Sequence, residues 1–473
     1  MTESEHNVAL QPSPRTDSVQ WLPLQKVEIQ NFRSLRDVVI QLDPTVTVLF
    51  GANAAGKTSV LNALAIALGS LVSRVPKASG RNFAKSGDLR RPWRDREDVK
   101  ERRGVERPFM RVAITASEGV HWDVSRLRSV QDRSELKSWG IKALHDAIDP
   151  VIKAILDTPP DLPSVPLPLV AAYGTERALV EVPLRERYFQ RDFDRLGAFD
   201  RSLEASTRFK TVFEWFRVME DEERREGKKR RDLDYKLPAL QWIRRAVERA
   251  APRCHNPRVE THPIRMLVDF DHGDGQLEPL NVDALSDGYR THFSLVADIA
   301  RRMVQLNPSD DLTDLRRGTN SEAVILIDEI DLHLDPVWQA TVVTGLTSAF
   351  PNTQFILTTH SEQVIGSVKA ESVRKLVWGD GEVQVEQVPF AQGATGERIL
   401  VDLMGAYERV PGEITTKLKQ YQNLVETGAS TTEAGEALRA ELDQALPNDP
   451  SLHHADLEVQ RQSLMAKLKG LES

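Results

Sequence analysis

Hydrophobic and polar positions follow strand and helix periodicities along most of the chain. Apolar and polar residues alternate over residues 24–31 and 37–42, which predicts two paired strands. A continuous apolar run at 45–50 then predicts a buried strand, and the Ala/Leu-rich stretch 59–71 predicts a helix directly after it. Further short apolar runs predict strands at 110–115, 168–173, 265–270, 323–327, 354–358, 373–378 and 382–388. Strands interspersed with helices predict an α/β fold.

Helical spacing of apolar residues marks three other stretches. Residues 136–156 and 287–304 each predict one helix. Residues 201–251 predict two helices, joined by a solvated turn at the charged stretch 220–231. Sustained heptads are absent, so the sequence predicts no long coiled-coil arm.

The strands cease near residue 394, and this change in pattern sets the predicted domain boundary. Residues 1–20 are polar and predict a disordered lead-in. Residues 21–393 predict a mixed sheet flanked by helices, with insertions at about 74–107 and 201–251. Residues 394–473 predict a small all-α domain. Its helices carry apolar stripes that need cover, either from the rest of the chain or from a partner that docks there.

Composition and charge narrow the classes of function. The net charge of −8 gives no overall sign of nucleic-acid binding. The single cysteine, Cys254, cannot form an intrachain disulfide, which suits a reducing cytosol. The chain lacks a run of 18 apolar residues, and its start lacks an apolar signal segment. We therefore expect a cytoplasmic protein without a membrane partner.

Two basic segments are candidates for contact with DNA phosphates. Residues 74–107 hold twelve Lys and Arg against six Asp and Glu and predict a mobile basic excursion. Residues 228–231 form a second cluster. Acidic residues are interleaved or close by in both, so a solvated charged loop explains them equally well.

The strongest motif is Gly51-Ala52-Asn53-Ala54-Ala55-Gly56-Lys57-Thr58, which matches the phosphate loop G-x-x-x-x-G-K-[ST]. It lies between a predicted strand and a predicted helix, where backbone N–H groups can surround phosphates. Lys57 would reach the β and γ phosphates of ATP, and Thr58 would place its hydroxyl on Mg²⁺. The predicted nucleotide-binding residues of this segment are Asn53, Ala54, Ala55, Gly56, Lys57, Thr58 and Ser59.

Two further strand ends supply candidate catalytic groups. The apolar run 323–327 ends in Asp328 and Glu329, the Walker B pattern. Asp328 is placed to hold Mg²⁺, and Glu329 to polarise an attacking water. The run 354–358 leads to His360, at the strand edge where open α/β sheets bind ligands. His360 could sense the γ-phosphate and orient water.

Together with Leu285-Ser286-Asp287-Gly288-Tyr289 before a helix, these motifs resemble the ABC-type ATPase head of the RecF/SMC class. Phosphate loop, signature, Walker B, D-loop (Leu334-Asp335-Pro336) and switch histidine occur in that family's order, and the segment Phe32-Arg33-Ser34-Leu35 is typical of the class. The resemblance implies a dimer that holds each ATP between the phosphate loop of one protomer and Ser286 and Gly288 of the other. Asp287 departs from the glycine usual at its position. The Q-loop glutamine is not assigned, and Gln190 is only a candidate.

Several scattered segments are more specifically similar to the ATPase subunits of Septu antiphage systems. Such subunits are also found with some retrons. The similar segments are Tyr173-Gly174-Thr175 with Arg177, residues 213–220 and 298–302, and the tail 452–464. This resemblance implies an HNH nuclease as partner, self-association, and a role in defence against phage. DNA or retron nucleic acid is a further possible partner.

Other functions stay open on the sequence alone. The chain could be a RecF-like repair ATPase that clamps DNA itself, or a nucleotide-bound scaffold with negligible turnover. A self-contained nuclease of the OLD type would need an acidic metal cluster on a further α/β domain, and only a mostly helical stretch follows His360. His453 and His454 lack a metal-ligand pattern and are interpreted as surface residues. The sequence therefore predicts an ATPase without its own nuclease.

Overall fold

The computed structural model describes residues 22–92, 103–158, 165–178, 193–204, 209–406, 409 and 411–471, with side chains up to residue 465. The predicted lead-in at 1–20 and Gln190 lie outside these residues. The chain divides into two compact units, Met1–Gly396 and Glu397–Ser473. None of the described helices is long and apolar enough to cross a membrane.

The described strands, in chain order, are β1 (Leu24–Phe32), β2 (Leu35–Gln41), β3 (Val46–Gly51), β4 (Phe109–Ala116), β5 (His121–Leu127), β6 (Leu169–Tyr173), β7 (Cys254–Thr261), β8 (Ile264–Asp271), β9 (Leu277–Asn281), β10 (Ala323–Ile327), β11 (Thr353–Thr358), β12 (Val373–Gly379) and β13 (Glu382–Gln387). The described helices are α1 (Lys57–Val72), α2 (Lys142–Asp157), α3 (Phe209–Arg230), α4 (Pro238–Ala250), α5 (Asp287–Leu306), α6 (Pro336–Gln339), α7 (Val342–Ala349), α8 (Glu362–Ser367), α9 (Gly396–Arg398), α10 (Glu413–Glu426), α11 (Glu433–Ala445) and α12 (Pro450–Leu471).

A six-stranded sheet with the order β13-β12-β3-β11-β10-β6 forms the centre of the first unit. All its neighbouring strands run parallel except β13, which pairs antiparallel with β12. Every residue of β6, β10 and β11 is buried, as expected for parallel strands covered on both faces. The mixed sheet with flanking helices confirms the predicted α/β class.

Two antiparallel sheets accompany the central one. β1 and β2 form a hairpin, as predicted, but they belong to the sheet β2-β1-β4-β5 rather than to the sheet that carries the phosphate loop. Helix α1 contacts strands of both sheets. It is therefore apolar nearly all round, which explains its Ala/Leu-rich sequence. A third sheet, β7-β8-β9, surrounds the predicted strand at 265–270; the flanking β7 and β9 were not predicted.

The helical insertion differs from its prediction in one respect. The charged stretch 220–231 is not a turn, because α3 continues through it to Arg230. Ion pairs three and four residues apart support this half of the helix, among them Glu226 with Lys229 and Arg230 at 3.2 and 3.3 Å. Glu223 also accepts from Arg244 on α4, at 3.3 Å. Charged residues at helical spacing thus extend the helix, and the turn lies between Arg230 and Pro238.

The described part of the basic segment 74–107 is not a free excursion. Leu89 forms a β-bridge with Phe32, and the Arg33 amide donates to the Asp88 carbonyl at 2.7 Å. Arg90 is 3 % exposed and donates to the Ser34 carbonyl at 2.8 Å. These contacts bind the segment to the turn between β1 and β2, so the prediction of mobility is wrong for residues 88–90.

The second unit has a hydrophobic core of its own. Leu418, Tyr421 and Val425 on α10 pack with Leu442 on α11 and with Leu452 and Ala455 on α12. The predicted apolar stripes are therefore covered largely by one another. On α12, Leu457 and Leu464 remain 62 % and 61 % exposed.

Candidate functional site

The phosphate loop leaves the end of β3 and turns into α1. At Gly51 a Cβ atom would lie 2.2 Å from the carbonyl oxygen of Leu376 on β12, so only glycine fits there. Gly56 and Ala54 have positive φ of 94° and 65°. Asn53 and Ala54 are exposed, whereas Ala55 is buried. The first amide groups of α1 have no partner within the helix, and they lie next to this exposed, tightly turned loop.

Lys57 is folded back against this loop. Its Nζ donates to the carbonyl oxygens of Gly51 and Ala52 at 2.8 and 3.1 Å. Burial lowers the pKa of Lys57, while the charges of Asp328 and Glu329 act in the opposite direction. The ammonium group therefore stands between the loop carbonyls and the Walker B carboxylates.

Asp328 joins the phosphate loop to the Walker B strand. Its Oδ2 accepts from the Thr58 hydroxyl at 2.8 Å, and its Oδ1 accepts from the Thr358 hydroxyl at 2.5 Å. Thr58 is the second residue of α1, and Thr358 is the last residue of β11, which neighbours β10. A hydroxyl and a carboxylate in contact are hard oxygen donors, a set that could hold Mg²⁺ through two protein ligands.

Glu329 has a backbone conformation that is uncommon for a residue with a side chain. Its φ is 47°, in the left-handed region. Its amide donates to the Thr358 hydroxyl at 2.7 Å. Such conformations occur in functional sites, where neighbouring groups hold them in place.

Arg177 is a member of this site whose role the sequence did not predict. It is 2 % exposed and donates to the backbone carbonyls of Gly174, at 2.8 Å, and of Asp328 and Glu329. Burial lowers its pKa to about 10, against the opposing charges of nearby carboxylates. The sequence signals were its place in the segment Tyr173-Gly174-Thr175 with Arg177, which resembles Septu ATPase subunits, and its position shortly after the strand that ends at Tyr173.

His360 lies beside Asp331, the third carboxylate after β10 in chain order. The Thr359 hydroxyl donates to Asp331 Oδ1 at 2.6 Å, and the His360 amide lies 3.4 Å from both carboxylate oxygens. The structure thus brings Lys57, Thr58, Asp328, Glu329 and His360 to one edge of the central sheet.

The signature segment contacts the loop after β10 at Gly288, while its Ser286 and Asp287 side chains stay outside the cluster. Ser286 is the N-cap of α5, yet its side chain makes no capping hydrogen bond. Asp287 is exposed and pairs with Arg290 at 2.5 Å. A Cβ atom at Gly288 would lie 2.2 Å from the His333 carbonyl oxygen, so the start of α5 packs tightly on the loop after β10. Ser286 and Asp287 themselves are exposed.

The described residues contain no group of three or more His, Cys, Asp or Glu side chains that could hold a metal ion. His453 and His454 are exposed on α12.

Comparison with known proteins gives a consistent result. An AAA-domain family model matches residues 26–241, and a second AAA-domain model, named for AbiEii toxins of type IV toxin–antitoxin systems, matches residues 166–366. The chain is 26 % identical to the retron Ec83 probable ATPase of Escherichia coli, over 93 % of this chain and 87 % of that protein.

Two shorter matches accompany it. The retron Vc95 probable ATPase of Vibrio cholerae is 38 % identical over 32 % of this chain and 29 % of its own length. The Septu protein PtuA of Bacillus mycoides is 35 % identical over 28 % of this chain and 18 % of its own length.

Among solved structures, the SMC head domain from Thermotoga maritima aligns with 11 % identity and a TM-score of 0.39, over 78 % of this chain and 99 % of that one.

Proposed function

We propose that this chain, which is similar to the ATPases of retron and Septu antiphage systems, hydrolyses ATP between two copies of itself to control a separate nuclease of the HNH type. The observation that carries the ATPase part is the hydrogen bond between Thr58 and Asp328. This hydrogen bond joins the phosphate loop to the Walker B motif, which lie 270 residues apart in the sequence. ATP and its metal ion require both motifs.

ATP would bind along the phosphate loop. The amides of residues 53–59 would contact the phosphates, and Lys57 would leave the Gly51 and Ala52 carbonyls to meet the β and γ phosphates. Thr58 and Asp328 would hold Mg²⁺, which neutralises charge on the phosphate oxygens when bound.

Hydrolysis would depend on the carboxylate of Glu329. This side chain follows the metal-binding carboxylate by one residue, so it can reach a water on the far side of the γ-phosphate and take its proton. His360, at the end of the neighbouring strand, would contact the γ-phosphate and help to orient that water.

The second half of each ATP site would come from another copy of the chain. Ser286 has a hydroxyl that does not cap its own helix, and it is exposed at the amino end of α5. Together with the free amides of that helix end, this hydroxyl can meet a phosphate. Gly288 lets the helix start approach closely, and Asp287 would lie at the edge of the interface, paired with Arg290.

Mixing two inactive variants tests this arrangement. Lys57→Ala protomers lack a phosphate-loop cation, and Ser286→Arg protomers carry a bulky cation in the signature. Each variant alone should lose ATP turnover, whereas the mixture should regain it, because a mixed dimer has one intact pair of half-sites. Asp283→Arg is the control, since it places the same side chain on the exposed turn just before the signature and should stay active. Full turnover by a strictly monomeric protein would exclude the shared site.

The nuclease would dock on the helical unit. Leu457 and Leu464 lie seven residues apart on α12 and are exposed, together with Met465. Residues seven apart lie on the same side of a helix, so these side chains form one apolar surface. The inner face of α12 is occupied by the core of its own unit.

The double variant Leu457→Glu/Leu464→Glu should therefore lose the nuclease subunit when the chain is purified from its native operon. Its ATP turnover should be unchanged, and the isolated wild-type chain should not cut DNA. Leu233→Glu/Leu315→Glu is the matched control, because both leucines are exposed in the other unit. Retention of the nuclease by the α12 variant at wild-type level would place the docking surface elsewhere, and loss of ATP turnover would indicate that this face packs within the chain.

A further inference from the structure

We propose that Arg177 is a positioning residue for hydrolysis: its guanidinium group holds the backbone of Glu329 in the left-handed conformation that directs the Glu329 carboxylate to the attacking water. This inference rests on the proposed role of Glu329. Arg177 would act through the main chain, without contact to ATP.

The hydrogen bonds of Arg177 are suited to this task. Nη1 donates to the Asp328 carbonyl and Nη2 to the Glu329 carbonyl. These two carbonyls belong to the peptide groups on either side of the Glu329 Cα, so their relative orientation is set by φ and ψ of Glu329. A planar guanidinium that donates to both at once favours one combination of these two angles.

The backbone N–H group of Glu329 is also fixed by a hydrogen bond. It donates to the Thr358 hydroxyl at 2.7 Å, and the same hydroxyl donates to Asp328 Oδ1 at 2.5 Å. The backbone of Glu329 is thus fixed from two directions, by Thr358 and by Arg177. A left-handed φ of 47° is sparsely populated by residues other than glycine, and contacts of this kind are needed to maintain it.

A purely structural role explains Arg177 less well. Burying a guanidinium carries a large desolvation cost, and an apolar side chain could fill the same space without it. The described hydrogen bonds of the Arg177 side chain go to three main-chain carbonyls, two of which flank the proposed catalytic residue. The arrangement therefore serves the geometry of that residue.

The segment that carries Arg177 is itself anchored to the signature helix. Tyr173 ends β6, opposite Ile327 of β10. Its hydroxyl donates to Asp298 Oδ2 on α5 at 2.9 Å, and Arg301 and Arg302 also donate to this buried carboxylate. The strand that precedes Arg177 is therefore fixed to both the Walker B strand and α5.

The test uses the full-length chain and compares Arg177→Lys with Arg177→Gln. Neither replacement can donate to both carbonyls in the geometry of a guanidinium, so we expect kcat to fall by about 10- to 100-fold, the scale for a misplaced catalytic group. The dissociation constant for ATP should change by less than about threefold, because ground-state binding does not involve Arg177. Arg374→Lys is the matched control, since Arg374 on β12 is also buried and donates to main-chain carbonyls, including those of Gln41 and Val373; it should leave kcat unchanged.

A second readout separates positioning from general stabilisation. In a Glu329→Gln background, Arg177→Lys should cause no further loss of kcat, because the group it positions is already disabled. A further loss of the same size in that background would overturn the proposal, as would loss of ATP binding in both Arg177 variants or an unchanged kcat. If Glu329→Gln alone left kcat unchanged, the proposed role of Glu329 would fail instead, which distinguishes the two failures.

Discussion

Glu329→Gln is expected to lower ATP turnover by a factor on the order of 10²–10⁴, the usual contribution of a general base. The amide that replaces the carboxylate is nearly isosteric but cannot take a proton from water. The contacts that hold the Glu329 backbone, from Arg177 and Thr358, do not involve the side chain and should persist. ATP should therefore still bind, and the ATP-bound dimer should accumulate. Single-turnover hydrolysis and size-exclusion chromatography with ATP measure the two effects.

Glu386→Gln is the control for this prediction, because Glu386 is exposed on the edge strand β13. It makes the same chemical change outside the site and should hydrolyse ATP at the wild-type rate. If Glu329→Gln hydrolysed ATP as fast as the wild-type chain, another group would have to activate the water.

Lys57→Ala should weaken ATP binding by about 2–5 kcal/mol, the scale for removing one member of a buried charge pair. Removing the ammonium group leaves the phosphate charge without its nearest protein cation. The fold should be unaffected, since the described hydrogen bonds of Nζ go to two carbonyls of the phosphate loop itself, those of Gly51 and Ala52. Calorimetric titration with ATP, together with a thermal melt of the free protein, measures both properties.

Lys369→Ala provides the comparison for a lost surface charge, because Lys369 is exposed before β12. Its ATP affinity should match that of the wild-type chain. Unchanged affinity in Lys57→Ala itself would contradict the assignment of residues 51–58 as the phosphate loop.

Much of the first unit follows from local sequence patterns. The strands that carry the phosphate loop and Walker B are continuous apolar runs, because both faces of the central sheet are covered. The positions of Lys57, Thr58, Asp328 and His360 at one sheet edge then follow from the parallel arrangement of their strands. These features depend on short segments, so they can be recognised without the tertiary structure.

Arg177 could not be predicted in the same way. Its role depends on the fact that β6 lies next to β10, and this neighbour relation joins residues about 150 positions apart. A single sequence does not show which strands pair. The packing of Asp88 and Arg90 against the turn after Phe32 has the same origin. The extent of α3 was missed for a different reason, since its charged half is stabilised by ion pairs along the helix rather than by an apolar stripe.

The position of β3 in the central sheet has a consequence for biosynthesis. β3 carries the phosphate loop and is translated early, but its two neighbours in the sheet are β11 and β12, which end at Thr358 and Gly379. Gly51 packs against Leu376 of β12. A nascent chain on the ribosome therefore carries the phosphate-loop sequence for more than 300 residues before the strands that support it are made. Closing such long-range strand pairs is slow, so both edges of β3 stay open to incorrect pairing until β11 and β12 have been translated.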